Sequence, residues 1–393
     1  MKSVKDVDVS NKKVLVRVDY NIPMDENQNI TDDNRIRATL PLIEYLKNQN
    51  ASIILISHMG RPKGEKIAKL SLAPVAARLS ELLNQKIGFM DDCVGKKVEA
   101  RAGQLKNCEI LLLENLRFHK QEKSNDPVFA KKLADLCDVY INDAFAVSHR
   151  DQASVTGIPA FAPVAAAGFL LEKELNSYYD SIENPKRPLV AIIGGAKVSG
   201  KLEALQNMLK FVDKLIIGGA MANTFLKSQG VDTKGSLVEN DLVKTAADIV
   251  KQAKKSGVEL FLPIDLVVAE KFDKYAIIKE VELDDIPDNF LALDIGSKTS
   301  RLYAEALADA STIVWNGPMG VFEMDNFIAG TKKVAQAVAK SRAFSIVGGG
   351  DTGLAVKKCN VDNKISYIST GGGAFLYLME GKQLPGVKAL QKN

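Results

Sequence analysis

The stretch LVAIIGGAK, residues 189–197, joins five consecutive apolar residues to a pair of glycines and a lysine. A short continuous apolar run predicts a strand that is buried on both faces, as the strands of parallel sheets are. Two glycines directly after such a strand allow a tight turn and let backbone N–H groups approach a ligand closely. The stretch therefore predicts one strand-to-helix unit of a parallel α/β sheet.

The same pattern recurs along the whole chain. Stretches with helical periodicity, such as residues 202–211 and 332–340, separate the apolar runs. Regular alternation of buried strands and helices is typical of the doubly wound α/β fold class. The apolar runs occupy residues 14–18, 53–56, 110–113, 189–193, 215–217, 313–315 and 344–347.

Length and composition exclude several classes of protein. The 393 residues favour two or three domains, and 46% hydrophobic with 25% charged residues is typical of globular proteins. A net charge of +4 is too small and too dispersed for a nucleic-acid-binding surface. The four cysteines form no CxxC pair, which favours reduced thiols over a disulfide or zinc framework. With no signal peptide and no membrane-spanning stretch, we expect a cytoplasmic protein with no nucleic-acid or membrane partner.

The residues that follow the strands differ between the two halves of the chain. Polar loops follow the strands of the first half, whereas glycines follow nearly every strand of the second half. The change falls near residues 171–188, where a helical stretch ends in the sequence ENPKRP. We predict a first domain over residues 1–172, an interdomain helix over 173–186 and a second domain over 187–375.

Two glycine motifs of the second half have more than one interpretation. GGGDTG at residues 348–353 satisfies GxGxxG, so an NAD-dependent oxidoreductase is one alternative. However, the next strand lacks the acidic residue that would bind a ribose hydroxyl. GAKVSGK at residues 195–201 matches GxxxxGK, but Leu202 stands where a P-loop needs Ser or Thr. Because of these departures, the sequence predicts a glycine-lined phosphate site that is neither an NAD-binding motif nor a P-loop.

Two lysines and one aspartate belong to this predicted phosphate site. Lys197 and Lys201 are four residues apart and would share one helical face if a helix began at Val198. Asp351 follows three glycines at a predicted helix N-terminus, where it could hold a magnesium ion. The alternative is that Asp351 only caps the helix.

Arginine and histidine are concentrated in the first half. Eight of the eleven arginines and all three histidines lie within the first 150 residues. Because a guanidinium group can bind a carboxylate or phosphate through two donors, those near strand ends predict a pocket for a small polyanion. The predicted pocket comprises Arg35, His58, Arg61, Arg117 and Arg150.

The remaining arginines and one histidine have simpler expected roles. We expect Arg17 to pair with a neighbouring carboxylate and His119, within a charged run, to be exposed to solvent. Surface ion pairs are expected for Arg37, Arg78 and Arg101.

No motif supplies a nucleophile or a catalytic base. GxSxG, HExxH and an HRD-type loop are all absent from the sequence. A carboxylate acceptor needs no base, because it is already ionised at pH 7. A nucleotide half, an anion half and no base therefore fit phosphoryl transfer if the acceptor is a carboxylate. An inert anion-binding scaffold is a further alternative, although it would not need to retain both Arg35 and Lys197.

The motifs taken together resemble the phosphoglycerate kinase family over essentially the whole chain. The resemblance rests on VLVRVDYNIP (14–23), SHMGRP (57–62), ENLRF (114–118), NDAF (142–145), SHR (148–150), GGAKV (194–198), WNGP (315–318) and GGGDT (348–352), which follow in the family's order.

This resemblance implies a reaction and an architecture. It implies reversible phosphoryl transfer between 1,3-bisphosphoglycerate and ADP, giving 3-phosphoglycerate and ATP with Mg²⁺ as cofactor. The transfer would be direct and in line, with hinge closure and no covalent enzyme intermediate. The family's fold consists of two Rossmann-like domains with parallel sheets flanked by helices, facing across a cleft. It further implies a monomer whose C-terminal tail, residues 376–393, packs back on the first domain.

The resemblance also implies roles for individual residues. Arg35 and Lys197 would be catalytic, and Asp351 would hold the metal ion. The phosphoglycerate would be bound by Asp19, Asn21, Arg35, His58, Arg61, Arg117 and Arg150. The nucleotide would be bound by Lys197, Lys201, Asn316, Glu323, Gly349, Gly350, Asp351 and Thr352.

Overall fold

The computed structural model describes residues 1–391, which divide into two compact units. One unit comprises Met1–Leu175 together with the C-terminal segment from Gln383, and the other comprises Asn176–Lys382. The predicted tail thus joins the first unit later than expected, because residues 376–382 belong to the second unit. The last two residues of that tail, 392 and 393, lie outside the described residues.

The first unit is built on a six-stranded parallel sheet. Its strands are β1 (Lys13–Arg17), β2 (Ser52–Ile56), β3 (Gly88–Phe89), β4 (Ile110–Leu112), β5 (Val139–Asn142) and β6 (Ala165–Ala167). The spatial order is β3-β4-β2-β1-β5-β6. Its helices are α1 (Asn34–Asn48), α2 (Ala73–Leu83), α3 (Lys96–Gly103), α4 (Lys120–Lys123), α5 (Pro127–Ala134) and α6 (Phe169–Ile182), the last of which continues into the second unit.

The second unit contains a parallel and an antiparallel sheet. Its strands are β7 (Leu189–Ile193), β8 (Lys214–Ile217), β9 (Glu259–Phe261), β10 (Asp265–Ala269), β11 (Ile278–Glu282), β12 (Leu291–Ile295), β13 (Thr312–Asn316), β14 (Phe344–Gly348) and β15 (Tyr367–Ile368). Six of them form a parallel sheet in the order β15-β14-β13-β7-β8-β9. The other three form an antiparallel sheet in the order β11-β10-β12.

Helices cover the second unit and close the chain. They are α7 (Leu202–Met208), α8 (Met221–Ser228), α9 (Val243–Lys255), α10 (Ser297–Ala306), α11 (Ala329–Lys340), α12 (Gly350–Lys358) and α13 (Gly372–Met379). The last helix, α14 (Pro385–Leu390), packs on the first unit against residues 153–157 and β6.

Apolar side chains explain why the parallel strands form. All five residues of β2 and all five of β7 are buried, as expected for strands with helices on both faces. Helices such as α2 contribute one apolar face, which in α2 comprises Val75, Ala76 and Leu79. The doubly wound α/β prediction is therefore confirmed, with strand bounds that differ by one or two residues. None of the described helices is long and apolar enough to span a bilayer.

One local expectation is wrong, and one sheet has no counterpart among the sequence patterns. Helix α7 begins at Leu202, so Lys197 and Lys201 precede the helix and do not share a helical face. The antiparallel sheet was also not expected, since β11 (IKEVE) is mostly exposed and lacks the apolar run by which the other strands were found.

Strand order places a ligand-binding edge in each parallel sheet. In the first sheet, β2, β4 and β3 lie on one side of β1, and β5 and β6 lie on the other. In the second, β7 and β13 are the neighbouring strands from which the order diverges. Open α/β sheets bind ligands beyond the carboxyl ends of the strands at such points. The predicted site residues should therefore meet there.

Candidate active site

The first cluster lies beyond β1 and β2. Arg35, from the first turn of α1, donates from Nη1 to Oδ2 of Asp19 at 2.8 Å and to the backbone oxygen of Asn21 at 2.9 Å. The side-chain oxygen of Asn21 in turn accepts a hydrogen bond from the backbone N–H of Gly60 at 2.8 Å. These bonds hold the loop after β1 against α1 and the loop after β2.

Arg117 has unused donors inside the protein. Its side chain is buried, and Nη1 donates to the backbone oxygen of Gly60 at 2.7 Å. Nε and Nη2 are buried with no hydrogen-bond partner among residues 1–391. Burial, together with the positive charges of Arg150 and Arg17, lowers the pKa of Arg117 to about 10. A buried cation with two unpaired donors is the arrangement expected of a binding site for an anion.

His58 is a neutral group within this positive field. Its Nδ1 atom lies 3.1 Å from Nη2 of Arg17 and 3.7 Å from Oδ1 of Asp19. Burial is the largest cause that lowers the pKa of His58 well below its ordinary value, and the nearby guanidinium groups lower it further. His58 is therefore uncharged at neutral pH and can hydrogen-bond a ligand without adding charge.

Among residues 1–391, the donors of Arg17 contact groups other than carboxylates, contrary to the expected pairing. It donates from Nε to Oγ of Ser154 at 2.9 Å and from Nη1 to the backbone oxygen of Val18. The buried carboxylate of Glu122 accepts hydrogen bonds from the same serine, from N at 2.9 Å and from Oγ at 2.6 Å. The sequence predicts no role in the site for Arg17 or Glu122. Arg17 and Ser154 are far apart in the chain, so their contact has no local signature.

Arg61 and Arg150 complete the positive cluster. Arg61 is exposed, whereas Arg150 is half-buried. Burial is the largest cause that lowers the pKa of Arg150, and the positive charge of Arg61 lowers it further. Hydrogen bonds join Arg35 to the loop after β1 and Arg117 to the loop after β2. The surface ion pairs expected elsewhere are also present, as Arg37–Asp33, Arg78–Asp33 and Arg101–Glu109.

Glycines pack closely beyond β7 and β13, where the strand order of the second sheet diverges. A Cβ atom on Gly317 would lie 2.0 Å from the backbone oxygen of Gly194, and one on Gly219 would lie 2.5 Å from the backbone N of Gly195. Gly317 also has φ +102°, a conformation that other residues rarely adopt. The loops after β7, β8 and β13 can meet only because they carry glycine.

Lys201 connects two of these loops. Its ammonium group donates to the backbone oxygen of Asn316 at 2.9 Å and to the side-chain oxygen of the same residue. Burial lowers the pKa of Lys201 to about 8, and the charge of Asp351 opposes that shift. Thr352 accepts a hydrogen bond from the backbone N–H of Gly317 at 2.7 Å, which binds the start of α12 to the loop after β13.

Asp351 lies in the first turn of α12 and is exposed. The N-cap of this helix is Gly349, and no side chain caps it, so Asp351 is not a helix cap. Magnesium is held in proteins by one or two carboxylates together with substrate phosphates. A single accessible carboxylate at a glycine-rich helix N-terminus fits that requirement. Lys197 is likewise exposed.

A cavity of about 470 Å³ adjoins these groups within the second unit. Asp351 and Glu323 line it together with apolar residues such as Leu293 and Pro318. Buried Asp294 also lines it and accepts hydrogen bonds from the backbone N–H groups of Gly330 at 2.7 Å and Ile295 at 2.9 Å. Burial raises the pKa of Asp294 to about 7. Asp294 is not among the predicted site residues, although an acidic residue within the largely apolar strand β12 is a signal for one.

Comparisons with known proteins agree on one family. A family model described as phosphoglycerate kinase matches residues 4–382. The chain is 63% identical to a phosphoglycerate kinase of Desulforapulum autotrophicum, over 99% of this chain and all of that protein. It is 57% identical to one of Desulfosudis oleivorans, over 100% of this chain and 99% of that protein. The solved structure of phosphoglycerate kinase from Coxiella burnetii is similar, with a TM-score of 0.90 and 44% identity over 99% of this chain and 98% of that one.

Proposed function

The chain belongs to the phosphoglycerate kinase family, and from that premise we propose how its residues carry out the reaction. The protein is a glycolytic phosphotransferase with ATP or ADP and a phosphoglycerate as small-molecule substrates. It transfers a phosphoryl group reversibly between 1,3-bisphosphoglycerate and ADP. We assign the phosphoglycerate to the unit Met1–Leu175 and the nucleotide to the unit Asn176–Lys382.

The observation that carries the first assignment is the pair of buried, unpaired donors on Arg117. We assign the 3-phosphate to Arg117 together with Arg61 and Arg150, because guanidinium donors suit phosphate oxygens. Neutral His58 and the carboxylate of Asp19 would bind the uncharged part of the substrate. Asn21 and Arg35 complete the set, and Arg35 is the proposed catalytic member beside the reacting carboxyl group.

The nucleotide assignment follows from the glycine-rich strand ends. The backbone N–H groups of Gly349, Gly350 and Thr352 lie at the N-terminus of α12. A helix N-terminus favours the binding of phosphate. Lys201 and Asn316 would bind the nucleotide phosphates from the neighbouring loops. The cavity lined by Glu323 has the size expected for a nucleoside, and we assign the ribose hydroxyls to that carboxylate.

The chemistry requires charge stabilisation more than proton transfer. The acceptor carboxylate is ionised at neutral pH, so no residue must act as a base. Exposed Lys197 is the cation we assign to the transferring phosphoryl group, where it would balance charge on the equatorial oxygens. Asp351 would hold Mg²⁺, which supplies further neutralisation of phosphate charge when bound.

The other interpretations are not favoured. Full-length similarity to phosphoglycerate kinases leaves the GxGxxG match at 348–353 as a phosphate-binding turn, so an NAD-dependent oxidoreductase is not supported. An inert scaffold is not supported either, since both Arg35 and Lys197 are present. We further propose that the protein acts as a cytoplasmic monomer.

The direct test is a coupled assay with purified protein. We expect ATP-dependent phosphorylation of 3-phosphoglycerate that requires Mg²⁺ and is lost on addition of a chelator. Glycerate without a phosphate group is the matched control substrate and should react far more slowly. Absence of turnover with 3-phosphoglycerate in a folded, ADP-binding protein would contradict the proposal.

A further inference from the structure

Three side chains with metal-binding chemistry meet in the first unit, apart from the proposed substrate sites. They are Asp92 and Cys93, in the loop after β3, and His119, after the 3₁₀ turn Leu116–Phe118 that follows β4. Their ligand atoms all lie within 4.8 Å of one another, and no other group of this kind occurs among residues 1–391. We propose that Asp92, Cys93 and His119 form a binding site for a divalent transition-metal cation of the zinc type.

The set of donors selects the class of metal. A thiolate, an imidazole nitrogen and a carboxylate oxygen suit Zn²⁺ or Co²⁺, whereas Mg²⁺ and Ca²⁺ prefer sites made only of oxygen. Three protein ligands leave a fourth tetrahedral position for water. The site therefore differs in chemistry from the oxygen site assigned to Asp351, and one metal would not satisfy both.

The ligands are already close to the required geometry. Nε2 of His119 lies 2.7 Å from Oδ1 of Asp92, and the ring of His119 packs on Phe129 with centroids 5.3 Å apart. Donor atoms around a tetrahedral zinc ion lie about 3.3 Å apart, given metal–ligand distances of about 2.0–2.1 Å. The pair must therefore separate by roughly half an ångström, which a side-chain rotation can supply. The side chain of His119, expected to be exposed to solvent, retains 28% exposure and that of Asp92 retains 47%, so an ion can enter from solvent.

The surroundings of Cys93 favour a cation. The thiol is buried, and besides Asp92 the carboxylates of Glu114 and Glu122 act on it electrostatically. Binding would replace the thiol proton with the metal and release that proton to solvent. The site would also join the loops after β3 and β4, the second of which carries Arg117 two residues before His119.

Cobalt provides a spectroscopic test on the full chain. Metal-free protein, prepared with a chelator that is then removed, is titrated with Co²⁺, which has a thiolate-to-metal absorption band when bound to cysteine. We expect one equivalent of Co²⁺ to produce this band and Zn²⁺ to abolish it by displacement. Cys93→Ser should remove the band. Cys108→Ser is the matched control, because Cys108 is the one partly exposed cysteine, and it should keep the band.

Variants of the two partly exposed ligands distinguish loss of the metal site from misfolding. Asp92→Asn and His119→Gln should keep the circular dichroism spectrum and weaken Co²⁺ binding at least tenfold. Failure of the wild-type protein to produce the band would overturn the proposal. Unchanged affinity in both of these variants, or a band that persists in Cys93→Ser, would overturn it equally. These results do not depend on kinase activity, so the outcome is separate from that of the proposed function.

Discussion

The Nζ atom of Lys201 lies 2.9 Å from the backbone carbonyl oxygen of Asn316. The contact joins the loop after β7 to the end of β13 at the point where the strand order of the second sheet diverges. Because burial lowers the pKa of Lys201 to about 8, the residue loses its charge within a pH range that enzymes tolerate. A nucleotide bound there would favour the charged form.

The affinity for ADP should consequently depend on pH above about 8. Free protein loses the Lys201 proton as the pH rises through about 8, and phosphate binding must then restore it. The dissociation constant should increase by up to about tenfold per pH unit above that point. Calorimetric titration with ADP from pH 7 to 9.5 measures the slope.

Lys201→Arg should remove most of this slope, since arginine stays protonated throughout the range. The matched control is Lys227→Arg on the exposed side of α8, which should keep the wild-type profile. A wild-type slope in Lys201→Arg would assign the titration to another group.

Asp351→Asn should separate the metal from the nucleotide. The change removes a hard anionic oxygen, so binding of Mg²⁺–ADP should weaken about ten- to hundredfold while binding of metal-free ADP changes little. Titrations with Mg²⁺ and with EDTA measure the two affinities. Asp325→Asn, another exposed aspartate of this unit, should affect neither. Equal losses in both titrations would mean that Asp351 does not act through the metal.

Lys197→Met should reduce turnover with little effect on binding. A cation that acts on the transferring phosphoryl group is needed in the transition state, so kcat should decrease on the order of 10³-fold with small changes in either KM. Lys210→Met, which removes an exposed lysine just after α7, should retain wild-type kinetics. Steady-state kinetics measure the effect. If Lys197→Met retained most of the wild-type kcat, this role would be ruled out.

Asp143 should make the stability of the first unit pH-dependent. Its Oδ1 atom accepts backbone hydrogen bonds from Leu170 at 2.7 Å and Leu171 at 3.2 Å, while Oδ2 is buried without a partner among the described residues. Burial raises the pKa of Asp143 to about 7. The unfolded chain ionises above about pH 4 while the folded protein keeps the proton, so the free energy of unfolding should decrease by up to about 1.4 kcal/mol per pH unit between pH 4 and 7.

Because asparagine resembles protonated aspartate, Asp143→Asn should reduce the decrease in the free energy of unfolding between pH 4 and 7. Urea unfolding at pH 5, 6 and 7, followed by circular dichroism, measures the dependence. Asp135→Asn, which alters an exposed ion pair with Lys131, is the control and should leave it unchanged. Buried Asp294 contributes a decrease of the same sign, so only a slope equal to that of the wild-type protein would show that the Asp143 carboxyl group is ionised in the folded protein.

The parallel sheets could be predicted from the sequence because their strands are continuous apolar runs. β11 could not, because its residues are largely exposed and its formation depends on pairing with β10. Arginines and glycines at strand ends predict the two sites, whereas the roles of Asp19, Asn21, Asn316 and Glu323 rest on the resemblance to the family. Contacts such as that of Arg17 with Ser154 join distant segments and have no local signature. The same holds for Cys93 and His119, whose spacing matches no metal motif.

The central claim is that the unpaired donors of Arg117 bind the phosphate of the substrate. Calorimetric titration with 3-phosphoglycerate tests it most directly, comparing wild-type protein with Arg117→Met and with the surface control Arg78→Met. We predict that Arg117→Met weakens 3-phosphoglycerate binding about ten- to hundredfold, the loss expected for a charge-assisted contact, while ADP affinity and the circular dichroism spectrum stay unchanged. Wild-type affinity for 3-phosphoglycerate in folded Arg117→Met would contradict the account.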